Sequence, residues 1–240
     1  MLRLVFLILH PLRSYKYLRS SSKDYSKISL TELQSYLGSP KIIIEAGAAD
    51  GIDTLIFSSN FPSATVFAIE PVKEQYQHLM LKSKQAGNIQ LFNLALSDKN
   101  GAGSIFVGND VGALGGMGSS SLLKPYLHEE FFPEIKFEIQ QSITTITLEK
   151  FIEDAQIDEI DLLWLDIQGA ELAVLNASQE VLMRKVKFLH LEISRVKLYE
   201  DMPNERAIRR FLKDAGFKCM IDRVGAISGN ALYSNTQLNN

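Results

Sequence analysis

The chain has 240 residues, 46% of them hydrophobic and 22% charged, with a formal net charge of −3. That length suits one sizeable domain and is small for two, and the acidic balance argues against nucleic acid or an anionic membrane as a partner held by bulk electrostatics. Cys219 is the only cysteine, which excludes an intrachain disulfide and a thiolate metal cage. The four histidines (His10, His78, His128, His190) lack zinc-ligand spacing, and a reducing, cytoplasmic setting fits this usage.

At the N-terminus an apolar run from Leu4 to Leu9 is flanked by Arg3, His10, Arg13, Lys16 and Arg19. Six residues fall short of the about 20 needed to span a bilayer and of the roughly 7–15 of a signal-peptide core. The run is expected to pack on the domain, with a weak peripheral membrane contact as the alternative. Residues 1–30 read as an extension closed by the polar tract 20–27, and residues 31–240 as the domain.

From residue 31 onward, short apolar runs alternate with helical periods. "KIIIEAG" is a strand and residues 54–60 form a helix. "TVFAIE" is a second strand, followed by the helical "VKEQYQHLMLKSKQAG", and "IQLFNLAL" reads as a third strand. "VGNDVGALGGMGSSSLLKP" (107–125) interrupts the pattern, either as a lid or binding loop or as a surface excursion. Two further apolar strands, "IDLLWLDI" and "VKFLHLEIS", bracket one helix over 170–185. A helix over 204–216, "FKCMID" and "NALYS" close the chain. Strands apolar throughout are buried on both faces, which predicts a doubly wound, mostly parallel α/β sheet between helices.

In such a sheet, ligands bind beyond the carboxyl ends of the strands, where the strand order reverses. The first strand delivers residues 45–51 there, and Gly47 and Gly51 are expected to let backbone approach a ligand. Their Gly-x-x-x-Gly spacing is not the dinucleotide fingerprint. Glu45 repels phosphate and suits an ammonium group. Glu70 ends the second strand at the interval where an acid reaches ribose hydroxyls, and Asp98 follows the third strand, toward an adenine. Three carboxylates without a phosphate cradle describe a pocket for a phosphate-free, cationic nucleoside, which is the chemistry of S-adenosylmethionine. Singly, each acid has an ordinary reading as a solvated turn residue or helix cap.

The blocks "IIIEAGAADGIDTLIFSSNFPSATVFAIEP", "NIQLFNLALSD", "ITTITLEKFIE", "IDLLWLDIQGAELAVLNAS" and "FLHLEIS" together resemble the FkbM family of methyltransferases over roughly residues 40–220. The resemblance implies a class I Rossmann-like methyltransferase fold, S-adenosylmethionine as donor, and O-methylation of a sugar, glycan or natural-product hydroxyl. This chain has "EAG" where the family commonly has Asp-Val-Gly, which keeps the charge. It has Gln168 where the family favours Glu, which removes one. The candidate donor contacts are Glu45, Gly47, Ala48, Gly51, Glu70, Pro71, Ser97, Asp98 and Asp166.

Methylating an alcohol requires the oxygen in line behind the methyl and a group to take its proton. Asp166 ends the fourth strand, Glu192 nearly ends the fifth, and His190 lies two residues earlier on the same strand face; these three are the candidate catalytic residues. Asp166, Glu171 and Glu192 are alternatively candidate ligands for a Mg²⁺-like ion. The bland readings are that Glu171 caps its helix and His190 and Trp164 are core. The acceptor site is expected from residues 108–124 and from "SRVKLYEDMP", where Arg195, Lys197 and Tyr199 would grip a sugar or an anion. Two other functions compete with methyl transfer: a nucleotide-binding enzyme of another class, and a non-catalytic Rossmann-like binding module in glycan assembly.

Overall fold

The computed structural model describes residues 27–110 and 118–239. The apolar N-terminal run and residues 111–117 of the glycine-rich stretch lie outside the described residues. In chain order the first half contains α1 (Leu30–Leu37), β1 (Ile42–Ala46), α2 (Ile52–Asn60), β2 (Thr65–Ile69), α3 (Lys73–Lys82), β3 (Ile89–Phe92), β4 (Ala95–Leu96) and β5 (Gly101–Val107). The second contains α4 (His128–Phe131), β6 (Ile139–Ile146), α5 (Leu148–Asp154), β7 (Ile160–Leu165), α6 (Glu171–Ala177), α7 (Gln179–Lys185), β8 (Val186–Ser194), α8 (Glu205–Asp214), β9 (Phe217–Asp222) and β10 (Ser228–Asn235).

Seven strands form the main sheet in the order β3-β2-β1-β7-β8-β10-β9. Pairing is parallel from β3 to β8, and β10 runs antiparallel to both neighbours. The architecture is the mostly parallel, doubly wound α/β arrangement that the apolar runs call for. In β1, Ile43 and Ile44 are both fully buried but on opposite faces. Ile43 packs with Leu33, Phe57, Leu162 and Trp164, whereas Ile44 packs with Phe151, Leu163 and Leu189. Each such side chain contributes about 2 kcal/mol by leaving water, so a run without alternation is what this position demands. Strand order reverses between β1 and β7, which puts a crevice at their carboxyl ends.

Three expectations need correction. The stretch 89–96 is two strands in two sheets. Asn93 breaks it, its side-chain amide donating to the carbonyls of Glu70 (2.8 Å) and Pro71 (3.1 Å) and turning the chain away from β3. The single helix over 170–185 is interrupted at Ser178, whose backbone (φ −128°, ψ 29°) leaves the helical region between α6 and α7. Finally, β4, β6 and β5 form a separate three-stranded sheet in that order. Its two longer strands, β5 and β6, carry glycine, serine, threonine and glutamine and are half exposed, so they lack the apolar runs that mark the main sheet.

At the start of the body, Ile28 is buried and Ser29 caps α1. The Ser29 hydroxyl accepts from the Glu32 N–H (3.2 Å), and the Glu32 carboxylate accepts from the Ser29 N–H (2.9 Å). The packed body therefore begins before residue 31. Among the described residues no helix is long and apolar enough to cross a membrane.

Candidate active site

The turn after β1 is tied to both neighbouring strand ends. The N–H groups of Gly47 and Ala48 donate to the Ile69 carbonyl (3.0 and 3.1 Å), and the Asp166 N–H donates to the Ala46 carbonyl (3.0 Å). Gly47 has φ 86°, and a Cβ there would lie 1.9 Å from the Asp166 carbonyl oxygen. Gly47 is thus required where two strand ends meet, a reason different from the ligand approach expected of it. Gly51 is required for another reason again: its backbone is left-handed (φ 81°), which strains any residue with a Cβ, and that Cβ would also crowd Leu79 Cδ1 on α3 (2.5 Å).

A cleft opens at this switch point. Ala46, Gly47, Glu70, Pro71 and Asp166 line its floor, and Ile69, Leu96 and Ile105 make it apolar. Gly118, Ser120 and Leu122, from the second half of the glycine-rich stretch, line it too. Its lining contains two carboxylates and no lysine or arginine among the described residues. Four of the candidate donor residues, Gly47, Glu70, Pro71 and Asp166, therefore share one cavity.

The other five do not line it. Glu45 is 2% exposed and points from β1 toward α2, where its carboxylate accepts the Thr54 hydroxyl. Burial raises its pKa well above the ordinary range, with the Thr54 hydrogen bond opposing. Ala48 is buried against Ala68 and Leu79, and Gly51 faces Leu79. Ser97 is buried, its hydroxyl donating to Asp98 (3.0 Å), while Asp98 is exposed. Ala49 and Gln75 line the cavity without having been singled out. Ala49 was legible only through its N–H, a backbone group that side-chain chemistry does not advertise.

Glu70 is 3% exposed, and its two oxygens accept from the Ala49 N–H (2.8 Å) and the Val72 N–H (2.7 Å). Burial outweighs these bonds and lifts its pKa to about 7. Asp166 and Glu192 form a second acidic centre. The Gln168 side-chain nitrogen donates to Asp166 Oδ1 (2.8 Å) and Glu192 Oε2 (3.1 Å). Desolvation, then the neighbouring Glu192 charge, raises the Asp166 pKa well above normal; desolvation, then the Glu171 charge, raises that of Glu192. The charge on Glu192 thus disfavours ionisation of Asp166 beside it.

His190 is not placed for catalysis. It lies one step down β8 from that centre, fully buried, its ring flat against Trp164 (centroids 3.3 Å apart, planes 6° apart). Burial depresses its pKa to about 3, so it is neutral and too weak a base to draw a proton from an alcohol. Glu171 is committed to backbone as well: it accepts from the N–H groups of Ile167 (3.1 Å) and Gly169 (3.3 Å), and burial raises its pKa to about 7. Among the described residues no three His, Cys, Asp or Glu side chains gather as a metal site. The Asp166–Glu171–Glu192 grouping is not assembled as a cage, because Gln168 lies between two members and the third faces the α6 turn.

On the expected acceptor side, Arg195 is paired with Glu205 (2.7 Å) and Lys197 sits over the Tyr126 ring (5.6 Å). Tyr199 is an interior residue, 1% exposed, its hydroxyl donating to the Ser119 carbonyl (2.7 Å) and lying 3.1 Å from Gln168 Oε1. It does not present itself to a sugar.

Residues 45–219 match the FkbM methyltransferase domain. The chain is 29% identical over 198 residues to a 2-O-methyltransferase, NoeI, of Sinorhizobium fredii, covering 82% of this chain and 80% of that one. It is 26% identical over 209 residues to the methyltransferase sdnD of Sordaria araneosa, covering 78% and 77%. A solved S-adenosylmethionine-dependent methyltransferase from Aquifex aeolicus aligns over 93% of this chain and 98% of its own, with a TM-score of 0.48 and 13% identity. The chain belongs to the FkbM methyltransferase family.

Proposed function

We propose that the chain transfers a methyl group from S-adenosylmethionine to a hydroxyl of a sugar, glycan or natural-product acceptor. The observation that carries this is the switch-point cleft, with Glu70 and Asp166 on its floor and, among the described residues, no cationic side chain on its lining. Such a lining is unfavourable to a pyrophosphate and favourable to a sulfonium. Glu70 would hold the ribose hydroxyls, the apolar walls would take the base, and Asp166 would face the acceptor hydroxyl. When bound, the donor supplies an electrophilic methyl on a positively charged sulfur.

The residues of the chain supply orientation and the proton's destination. Asp166, in its ionised form, would accept the hydroxyl proton as the oxygen takes the methyl carbon and the carbon–sulfur bond breaks, leaving S-adenosylhomocysteine. Glu192 keeps the second carboxyl of the pair beside it, and Gln168 fixes both. The name of the NoeI relative supports a hydroxyl oxygen as acceptor.

Glu70→Ala is expected to weaken S-adenosylhomocysteine binding about 10–100-fold, the loss of hydrogen bonds to a charged group. Calorimetry with S-adenosylhomocysteine and with NAD checks this, and binding of NAD alone would sink the reading. Methyl transfer is then sought with labelled donor across a panel of mono- and oligosaccharides. Firm donor binding with no methylated product would favour a binding module instead.

A proton acceptor in place of a metal also makes a prediction. After dialysis against EDTA, turnover should stay within about twofold of the untreated enzyme. A loss restored by Mg²⁺ would transfer the role of Asp166 from base to ligand.

A further inference from the structure

Among the described residues, the polar side chains that line the cleft are Glu70, Gln75, Ser120 and Asp166. Three of them are engaged with the protein. Glu70 accepts from the N–H groups of Ala49 and Val72, Ser120 Oγ accepts from the Gly108 N–H (3.2 Å), and Asp166 accepts from the Gln168 amide. Gln75 is the exception. It is 5% exposed, and its amide has no hydrogen-bond partner among the described residues. Two other amides at this wall are engaged, Asn93 with the carbonyls of Glu70 and Pro71 and Gln141 with that of Pro71 (3.2 Å).

Packing does not account for a glutamine at this position. Gln75 shares the inward face of α3 with Leu79, four residues on, and Leu79 is buried with Ala48 and Ala68. An apolar residue at 75 would continue that face. An amide offers two hydrogens and two lone pairs, and leaving them unmet where the residue is buried is costly. Such a group on the wall of a cleft suits a ligand.

Its place narrows the ligand. The Glu70 carboxylate holds the N–H of Val72, the residue that leads into α3, and Gln75 lies about one helical turn farther on. The amide is thus set beyond the acid assigned to the ribose. Ile69, Ala95, Leu96 and Ile105 supply apolar lining. Apolar surface for the flat faces and an amide for the edge are what a nucleobase requires. The amide's adjacent donor and acceptor match the amino group and neighbouring ring nitrogen of adenine. Asp98, the acid expected near the base, is exposed and does not line the cleft.

We infer that Gln75 reads the adenine base of the donor, its amide oxygen accepting from the 6-amino group and its nitrogen donating to the adjacent ring nitrogen. The inference rests on the S-adenosylmethionine reading and deepens it, with Glu70 holding the sugar and Gln75 selecting the base.

The test compares the full chain with Gln75→Met, which keeps the length of the side chain without the amide, and with Gln75→Leu as a second apolar variant. Each is titrated by calorimetry with S-adenosylhomocysteine and with its analogue lacking the 6-amino group. The parent protein should bind the analogue about tenfold more weakly, and each variant should bind S-adenosylhomocysteine about tenfold more weakly than the parent does. The variants should bind the two compounds alike, because the group that tells them apart is gone. With the acceptor found above, KM for S-adenosylmethionine should rise about tenfold in Gln75→Met and kcat at saturating donor should stay unchanged. A parent protein that binds both compounds equally, or variants that keep the parent's affinity or its discrimination, would overturn the inference and leave the S-adenosylmethionine reading standing. A parent protein that binds no S-adenosylhomocysteine would overturn both.

Discussion

Gly47→Ala is expected to abolish S-adenosylhomocysteine binding and to lower the unfolding free energy by about 3 kcal/mol or more. Two costs coincide there. The backbone is in the left-handed region (φ 86°), where a β-carbon is strained, and the added carbon would lie 1.9 Å from the Asp166 carbonyl oxygen. No rotamer relieves that clash, because the backbone sets the position of the Cβ and its partner is a backbone carbonyl. Either β1 and β7 separate, breaking the hydrogen bond from the Asp166 N–H to the Ala46 carbonyl, or the turn is rebuilt. The donor floor is lost in both cases. Urea unfolding and calorimetry check it; a variant with the parental midpoint and affinity would show that the strand ends are not so closely locked.

Asp166→Asn is expected to lower kcat by about 10²–10⁴-fold while keeping S-adenosylhomocysteine affinity. The amide keeps the shape and the bond lengths but accepts no proton. The same variant changes the response to pH. Glu70 and Glu171 have pKa values lifted to about 7 by burial, against 4.5 for an ordinary glutamate. The Asp166–Glu192 pair is raised as well, first by desolvation. Because the folded state binds more protons than the unfolded one, stability falls as pH rises from the ordinary carboxyl range through these elevated values. Urea midpoints should decline over that interval in the parent protein and decline less in Asp166→Asn, which has one fewer buried acid to ionise. Equal pH slopes for the two proteins would contradict a desolvated pair, and undiminished turnover would remove Asp166 from the mechanism.

The parts of this protein that were legible from sequence are those governed by one-dimensional patterns. Ile42, Ile43 and Ile44 announce a strand buried on both faces, and the run 160–167 announces its partner. The order of these runs fixes the crevice where Gly47, Glu70, Pro71 and Asp166 meet. What escaped depends on which way a side chain turns within a strand end. Glu45 and Asp166 are both acids near the ends of neighbouring strands, yet Glu45 is one layer lower and points at Thr54. Glu192 and His190 share a strand face as expected, but Trp164 covers His190 and not Glu192. The small sheet was missed because its strands need only one buried face, and residues such as Gln140, Ser142 and Thr144 look like loop when no long apolar run accompanies them. Tyr199, an interior residue by packing, reads as a surface residue because it sits among Arg195, Lys197 and Glu200.

The β5–β6 pairing brings Val107 opposite Ile139, so the 31 residues between them leave and re-enter the molecule at adjacent points. Chain-closure entropy grows only slowly with the length of such an excursion, and the ladder rather than the excursion fixes where it starts and stops. Residues can thus be added to or taken from this excursion at modest entropic cost, with the register of the ladder that anchors it unchanged.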